Sequence, residues 1–478
     1  MTKNSEKTWF SGLGREAASI PLPERLVLTA VILGGVFLRV RQWQCFEFKD
    51  DQARTVLDSI CALREGFMIP HGAISSFGLP LPSHGNILLG VFCIFDTSTF
   101  FFAGLFLAVS LLTLPVCFWI CRRLYDPATA LRATAFLAAT PVMVWNSSNV
   151  WGPNFLPLFT LIFLYGTIRY LETGRERLWV LAATAGFFGF VMWHLSSGFL
   201  APVLFWAAWR RKLRWRTFFA TSAAALLLLL PWLWFLAFRW DRQMAFLVHE
   251  QGSKVTAFVR EMLYLGNAGF FHNYFPSGAY LVEFGNRTAA AIAVGSGVLF
   301  GWVGVGLYCR KRRWADRDIV LAAVALGLPV LFLLLGIRIY YHYLQVSLIP
   351  FILMAVGGYA GLRAGVRAAL FGLVFGSFLL LTSLMQTKMI RGNGHYDEFG
   401  PSGNYLESIA AGLDREFAGR PLSLQVTALS PEAKKKLDPI AVLYIFDRHM
   451  RPEGEKRLLG IGFDPVEQRY FHLLLKVK

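Results

Sequence analysis

The chain has 478 residues, of which 55% are apolar, 15% aromatic and only 16% charged. Soluble domains carry roughly 25% charged residues, and a mean hydropathy of +0.48 excludes disorder, a coiled coil or a string of ordinary soluble domains. The net charge of +17 would suggest nucleic acid in a soluble protein, but in a membrane protein it can be the positive-inside bias.

The first twenty residues are polar and charged, so no cleavable signal peptide is expected. Apolar stretches able to cross ~30 Å of hydrocarbon then recur. They lie at about 24–41, 98–121, 129–148, 154–171, 178–194, 196–209, 217–238, 288–309, 319–337, 344–362 and 368–386, which makes about 11 spans. The stretch 84–95 is too short to cross and reads as a re-entrant or interfacial segment. Alternate loops hold 18 basic residues against five acids, among them the run Arg210, Arg211, Lys212, Arg214 and Arg216. By the charge bias these loops and the N-terminus face the cytoplasm, and the C-terminus lies outside. Of the +17, +14 then falls on the cytoplasmic side and +3 on the other.

Three longer pieces fall outside: 42–97, 239–287 and the tail 387–478. In the tail, apolar residues at Leu406, Ile409, Leu413 and Phe417 predict a helix over 402–417. Strands are expected at 440–446 and 470–477. The expected architecture is an all-α polytopic membrane protein over 1–386 with a small α/β C-terminal domain over 387–478. Cys45 and Cys61 could meet as a disulfide on the outer side, and no CxxC or zinc-type spacing appears. The sequons at Asn146 and Asn286 sit close to the membrane and read as chance.

The informative segment directly follows the first span: Phe46-Glu47-Phe48-Lys49-Asp50-Asp51-Gln52-Ala53-Arg54. Apolar residues at Ala53, Val56, Leu57, Ile60, Leu63 and Phe67 predict an amphipathic helix lying on the membrane surface. Asp50 and Asp51 at its start read either as an acidic N-cap or as a catalytic carboxylate beside the bilayer, with Arg54 one turn on to hold an anion. Other candidates each have a plainer alternative. Asn154 after Pro153 reads as a helix start or a ligand contact, and His194 beside Trp193 as a packed interfacial histidine or a substrate contact. Tyr341 and Tyr343 fit an aromatic belt, which leaves His342 unexplained. In the second outer loop, Arg260 reads as a surface ion-pair partner or a phosphate ligand, and His272 as part of an acceptor lid.

With these residues in place, the chain resembles the GT-C class of integral-membrane glycosyltransferases. Within it, the similarity is to polyprenyl-phosphate-sugar-dependent protein mannosyltransferases and lipid A aminoarabinose transferases. The resemblance rests on Asp51-Gln52-Ala53-Arg54 opening an interfacial helix and on Trp151-Gly152-Pro153-Asn154 through Pro157 opening the fourth span. It rests further on Trp193-His194 ending the fifth span and on Tyr341-His342-Tyr343-Leu344 followed by Pro350. It implies a GT-C-like fold and a bacterial inner-membrane enzyme with a periplasmic active site, transferring a hexosyl or pentosyl group with inversion. Asp51, with Asp50, would be the catalytic base, and Arg54, Lys49, His342 and Arg260 would face the donor phosphate. Asn154, His194, His84, His272 and Tyr341 would line the substrate site. The partners implied are a polyprenyl-phosphate-linked sugar donor, a glycan, lipid or protein acceptor and membrane lipid, with no nucleic acid.

Two departures stand out. The family's Asp-Glu pair is Asp51-Gln52 here, and the stretch Leu79-Pro80-Leu81-Pro82-Ser83-His84 lacks the lysine of related lipid A transferases, which brings in Lys49 or His84. No cofactor is required by the sequence, although Asp50 and Asp51 together could hold a divalent metal. The rival reading, a lipid-linked sugar transporter or flippase, wants ionisable residues lining a path inside the spans. The span middles are nearly free of them.

Overall fold

The computed structural model describes residues 20–48, 50–65, 72, 80–238, 258–259, 262, 265, 287–310, 313–334, 341–391, 402–417, 422–428, 445, 455–464 and 469–476. Helices stand at all 11 expected span positions. Six described helices are long and apolar enough to cross a membrane, or seven if one bent pair counts as a single span.

The first span is α1 (Leu22–Gln42) and the interfacial helix is α2 (Asp50–Arg64). The segment after it forms only a nine-residue helix, α3 (His84–Phe92). α4 (Thr99–Leu124) starts where the Ser98 hydroxyl accepts the Phe101 N–H, a normal N-cap. The expected span 129–148 is instead two helices, α5 (Pro127–Ala139) and α6 (Pro141–Trp145), bent by 60°. The bend has a local cause. Pro141 has no N–H to give the Leu137 carbonyl four residues back, and the fully buried Arg39 of α1 supplies the missing donors. Its guanidinium donates to Leu137 O at 2.9 Å, Ala138 O at 2.6 Å, Gly35 O at 3.1 Å and Ser110 Oγ at 3.2 Å. Only a glycine at 35 lets α1 approach so closely, because a Cβ there would collide with the Ala138 carbonyl.

The chain continues through α7 (Leu156–Thr173), α8 (Glu176–Phe188), α9 (Ala201–Arg210) and α10 (Trp215–Phe238). It then forms α11 (Arg287–Cys309), α12 (Asp316–Ala322), α13 (Leu328–Leu334), α14 (Gln345–Gly358) and α15 (Ala364–Arg391). α14 is buried at every position from Gln345 to Val356 and forms the centre of the bundle. α10 buries only Trp232 and exposes Leu226, Leu227, Leu230 and Trp234, a surface that water would not tolerate and lipid does. At the far end of the bundle, the buried Glu24 carboxylate ties three helices together. It accepts from Arg132 at 2.6 Å and from Arg367 at 3.1 Å.

In the tail, α16 (Gly403–Phe417) occupies the expected helix, with Leu406, Ile409, Ala410 and Leu413 buried. A three-stranded sheet follows: β1 (Leu422–Ala428) pairs parallel with β2 (Glu455–Asp464), and β2 pairs antiparallel with β3 (Arg469–Lys476). β3 falls on the expected last strand. The strand expected at 440–446 lies mostly outside the described residues, and Ile445 within it is helical. Thr99 donates its hydroxyl to Glu407 at 2.6 Å, and the Asn404 side chain donates to Gln44 O, so α16 rests on the same end of the bundle as α2. Cys45 and Cys61 are both free, one buried and the other exposed, so the possible disulfide between them is not formed.

Candidate active site

Asp50 and Asp51 form the first turn of α2, where a carboxylate complements the helix dipole. The buried face of this helix is narrower than its apolar pattern suggests. Ala53, Val56, Ser59 and Ala62 are buried while Leu57 is exposed. Small residues face α3, where a Cβ on Gly90 would come within 2.7 Å of Ser59 O. The helix therefore lies closely against α3, and Asp51 and Arg54 are directed together into a cavity of about 170 Å³.

That cavity collects five segments separated in sequence. Besides Asp51, Arg54 and Thr55 of α2, its walls are Gly85 and Asn86 of α3, Trp151 to Pro153 after the bent span, Phe190 to His194, and His342. Two glycines make the meeting possible. A side chain at Gly85 would collide with the Met192 carbonyl, and a Cβ at Gly152 would sit 2.7 Å from Trp193 O.

The imidazoles of His194 and His342 meet edge-on, with centroids 5.2 Å apart, and His342 stands edge-on to Trp151 at 4.9 Å. His194 is buried, and its Nδ1 accepts the Ser196 N–H at 3.1 Å. In the neutral ring that leaves the proton on Nε2 as a donor. Trp193 stacks flat on Phe155 at 3.9 Å, which fixes the span end that carries His194.

A clasp not foreseen from the sequence joins the first loop to the bent span. The Glu47 N–H donates to Asn149 Oδ1 at 3.2 Å, and the Asn149 amide reaches Asn146 Oδ1 at 3.3 Å. Asn154 completes it by donating to the carbonyls of Asn146 and Asn149 at 3.0 and 2.9 Å. Asn154 thus shapes the turn and is not among the described lining residues of the cavity. His84 also points elsewhere: its Nε2 bonds the Leu228 carbonyl of α10 at 3.1 Å. Burial pulls this imidazole below its ordinary range, against the opposing effect of that hydrogen bond. Tyr341 lies in the short helical turn Tyr341–Leu344 that presents His342. Lys49, Arg260 and His272 lie outside the described residues. Among the described residues no three His, Cys, Asp or Glu side chains come together to hold a metal.

Beside this polar cavity, and sharing Phe190 with it, is an apolar one of about 620 Å³ between α8, α9 and α10. Among the described residues no titratable side chain lines it. Glu24, Arg39, Arg132 and Arg367, buried among the described helices, are engaged in helix-to-helix bonds.

Residues 81–235 match the dolichyl-phosphate-mannose-protein mannosyltransferase family. No curated protein matches the chain. Among solved structures, the fold is similar to that of ArnT from Cupriavidus metallidurans in its apo state. The TM-score is 0.54 at 12% identity, with 94% of this chain and 97% of that one covered. The same protein bound to undecaprenyl phosphate gives a TM-score of 0.53 at the same identity and coverage. The architecture is that of a multi-pass membrane protein of the GT-C type. Within that class, the chain resembles the polyprenyl-phosphate-sugar-dependent branch, as its motifs suggest.

Proposed function

We propose that the chain is an inverting glycosyltransferase that moves one sugar from a polyprenyl-phosphate carrier to an acceptor on the periplasmic face of a bacterial inner membrane. The observation that carries this reading is the meeting of Asp51, Arg54, His194 and His342 in one small cavity. The family match over 81–235 and the undecaprenyl phosphate bound by the structurally similar ArnT support a lipid-phosphate donor.

In this mechanism an acceptor hydroxyl attacks the anomeric carbon, and its C–O bond forms as the bond to the phosphate oxygen breaks. Asp51 takes the hydroxyl proton. The carrier leaves as a polyprenyl phosphate whose added charge is stabilised by Arg54, with Lys49 and Arg260 as further candidates. His194 and His342 donate to the sugar or the phosphate, and Trp151 offers an apolar ring face. Asp50 assists the base. The isoprenoid chain lies in the 620 Å³ apolar cavity, which adjoins the polar one at Phe190. A single displacement needs one carboxylate, unlike glycoside hydrolysis with its usual pair. The displacement as written uses no cofactor, and loss of transfer on chelation would instead assign a divalent metal to Asp50 and Asp51.

The experiment is to compare, by mass spectrometry, the envelope glycans of a strain lacking this protein with those of its parent. A single sugar missing from one acceptor, restored by the intact gene, is expected. Unchanged glycans, together with no transfer by the purified protein from any polyprenyl-phosphate sugar, would overturn the proposal.

A further inference from the structure

The turn joining α9 to α10 carries five cations in seven residues: Arg210, Arg211, Lys212, Arg214 and Arg216. From His194 the chain runs through the turn Leu195–Leu200 and then α9, a rise of roughly 27 Å that matches the hydrocarbon thickness. The turn therefore lies at the opposite end of the bundle from the Asp51 cavity. Two of its cations are held by acids: Arg210 stands 3.5 Å from Asp316, and Arg214 stands 2.7 Å from Glu176. Arg211, Lys212 and Arg216 are exposed and have no acidic partner among the described residues.

Three further features accompany this charge. A cavity of about 770 Å³ opens at the turn, lined by the cations Arg210, Lys212 and Arg214 together with Phe205, Trp209, Trp215 and Phe218, and Arg211 and Arg216 are not among its described lining residues. That volume suits a small-molecule site. Trp209 and Trp215 are 75% and 72% exposed at the level where indoles sit among lipid headgroups. Finally, Lys212 has φ of 51° and is the one described non-glycine residue with positive φ. It closes α9 as a Schellman cap, with Leu213 N–H donating to Ala208 O at 2.9 Å, and this position ordinarily takes glycine. The neighbouring helix α7 follows the ordinary pattern and ends on Gly174 at φ 69°. Positive-inside orientation accounts for cations in this loop, but not for a lysine in a glycine's conformation over an aromatic-walled cavity.

We infer that this turn is a binding site for the headgroup of an anionic phospholipid. The phosphate sits against Lys212 in the cavity wall, the exposed Arg211 and Arg216 of the same turn add positive charge around it, and the acyl chains run down Phe205 and Phe218 into the bilayer. A basic pocket between spans, flanked by interfacial tryptophans, has the charge and shape for such a lipid. A zwitterionic headgroup brings its own cation and adds no net negative charge against the turn, whereas an anionic one does.

The test uses the full chain purified in detergent, with lipid retention read by native mass spectrometry and stability by thermal unfolding. Added phosphatidylglycerol is expected to remain bound and to raise the unfolding temperature, whereas phosphatidylcholine and inorganic phosphate are not. The triple variant Arg211→Gln, Lys212→Gln, Arg216→Gln should bind phosphatidylglycerol at least tenfold more weakly. Lys212→Gly separates binding from folding. Glycine accepts the backbone conformation, so the lipid-free unfolding temperature should hold or rise while phosphatidylglycerol affinity falls several-fold. Wild-type affinity in both variants, or an equal shift from phosphatidylcholine or from phosphate alone, would overturn the site.

Discussion

Replacing Arg39 by methionine removes the donors that satisfy Leu137 O and Ala138 O at the break between α5 and α6. It leaves a side chain of comparable length in the same place. No water from bulk reaches a residue that is 0% exposed, so both carbonyls lose their partners. An orphaned buried acceptor costs about 1–3 kcal/mol in soluble proteins, while hydrogen bonds between membrane helices average nearer ~0.6 kcal/mol. Relief from burying a charge offsets part of the loss. Two carbonyls then put the net destabilisation at about 1–4 kcal/mol. The assay is equilibrium unfolding in mixed micelles, followed by tryptophan fluorescence. A second substitution makes the reasoning specific. Pro141→Ala restores an N–H that can reach Leu137 O by continuing α5, so Arg39→Met should cost less in that background, with a coupling of about 0.5–2 kcal/mol. An unchanged midpoint for Arg39→Met, or an identical cost in both backgrounds, would refute the role assigned to the guanidinium.

Other outcomes follow from the same geometry. Glu24→Gln leaves Arg132 and Arg367 buried without their carboxylate and should destabilise by about 3–5 kcal/mol, read in the same unfolding assay, whereas a change under ~1 kcal/mol would mean that the cluster is solvated. Gly85→Ala should drive α3 away from Met192 at a cost of about 1–3 kcal/mol, and should lower transfer more than it lowers stability because the cavity wall moves. The His84 imidazole is held below its ordinary pKa. Its contribution is therefore complete above about pH 6.5 and is lost as pH falls through the depressed folded value. The difference in unfolding temperature between wild type and His84→Gln should accordingly shrink on acidification, and a difference that grew would reverse the sign of the shift.

The parts of this architecture that were legible in the sequence are those written in local chemistry. Long apolar runs have one solution in hydrocarbon, so every expected span position carries helix. Asp51 and Arg54 share one face of a helix by simple spacing, and His342 stood out because an aromatic belt does not explain an imidazole. What escaped the sequence depends on partners far along the chain. Hydropathy runs smoothly through 129–148 and does not register the missing N–H of Pro141, which is compensated by an arginine about a hundred residues earlier. The Glu47–Asn149 clasp crosses 102 residues, and its local sign, the polar run Asn146 to Asn149 at the end of an apolar span, reads equally well as a chance sequon. Asn154 was visible as a special residue, but its spacing could not reveal that its amide is turned onto Asn146 and Asn149. On α2, the apolar pattern includes Leu57, which is exposed, whereas close approach to α3 buries Ser59 and Ala62 outside that pattern.

The central claim is that Asp51 takes the acceptor proton while Arg54 and its neighbours hold the departing phosphate. It is tested most directly by single-turnover sugar transfer in proteoliposomes loaded with the polyprenyl-phosphate sugar identified from the glycan comparison, wild type against Asp51→Asn. The amide keeps the size of the side chain and cannot take the proton. Transfer should therefore fall by about 10²–10⁴-fold while insertion, unfolding temperature and donor binding stay at wild-type levels. Undiminished transfer by Asp51→Asn would contradict the assignment and move the base elsewhere in the cavity.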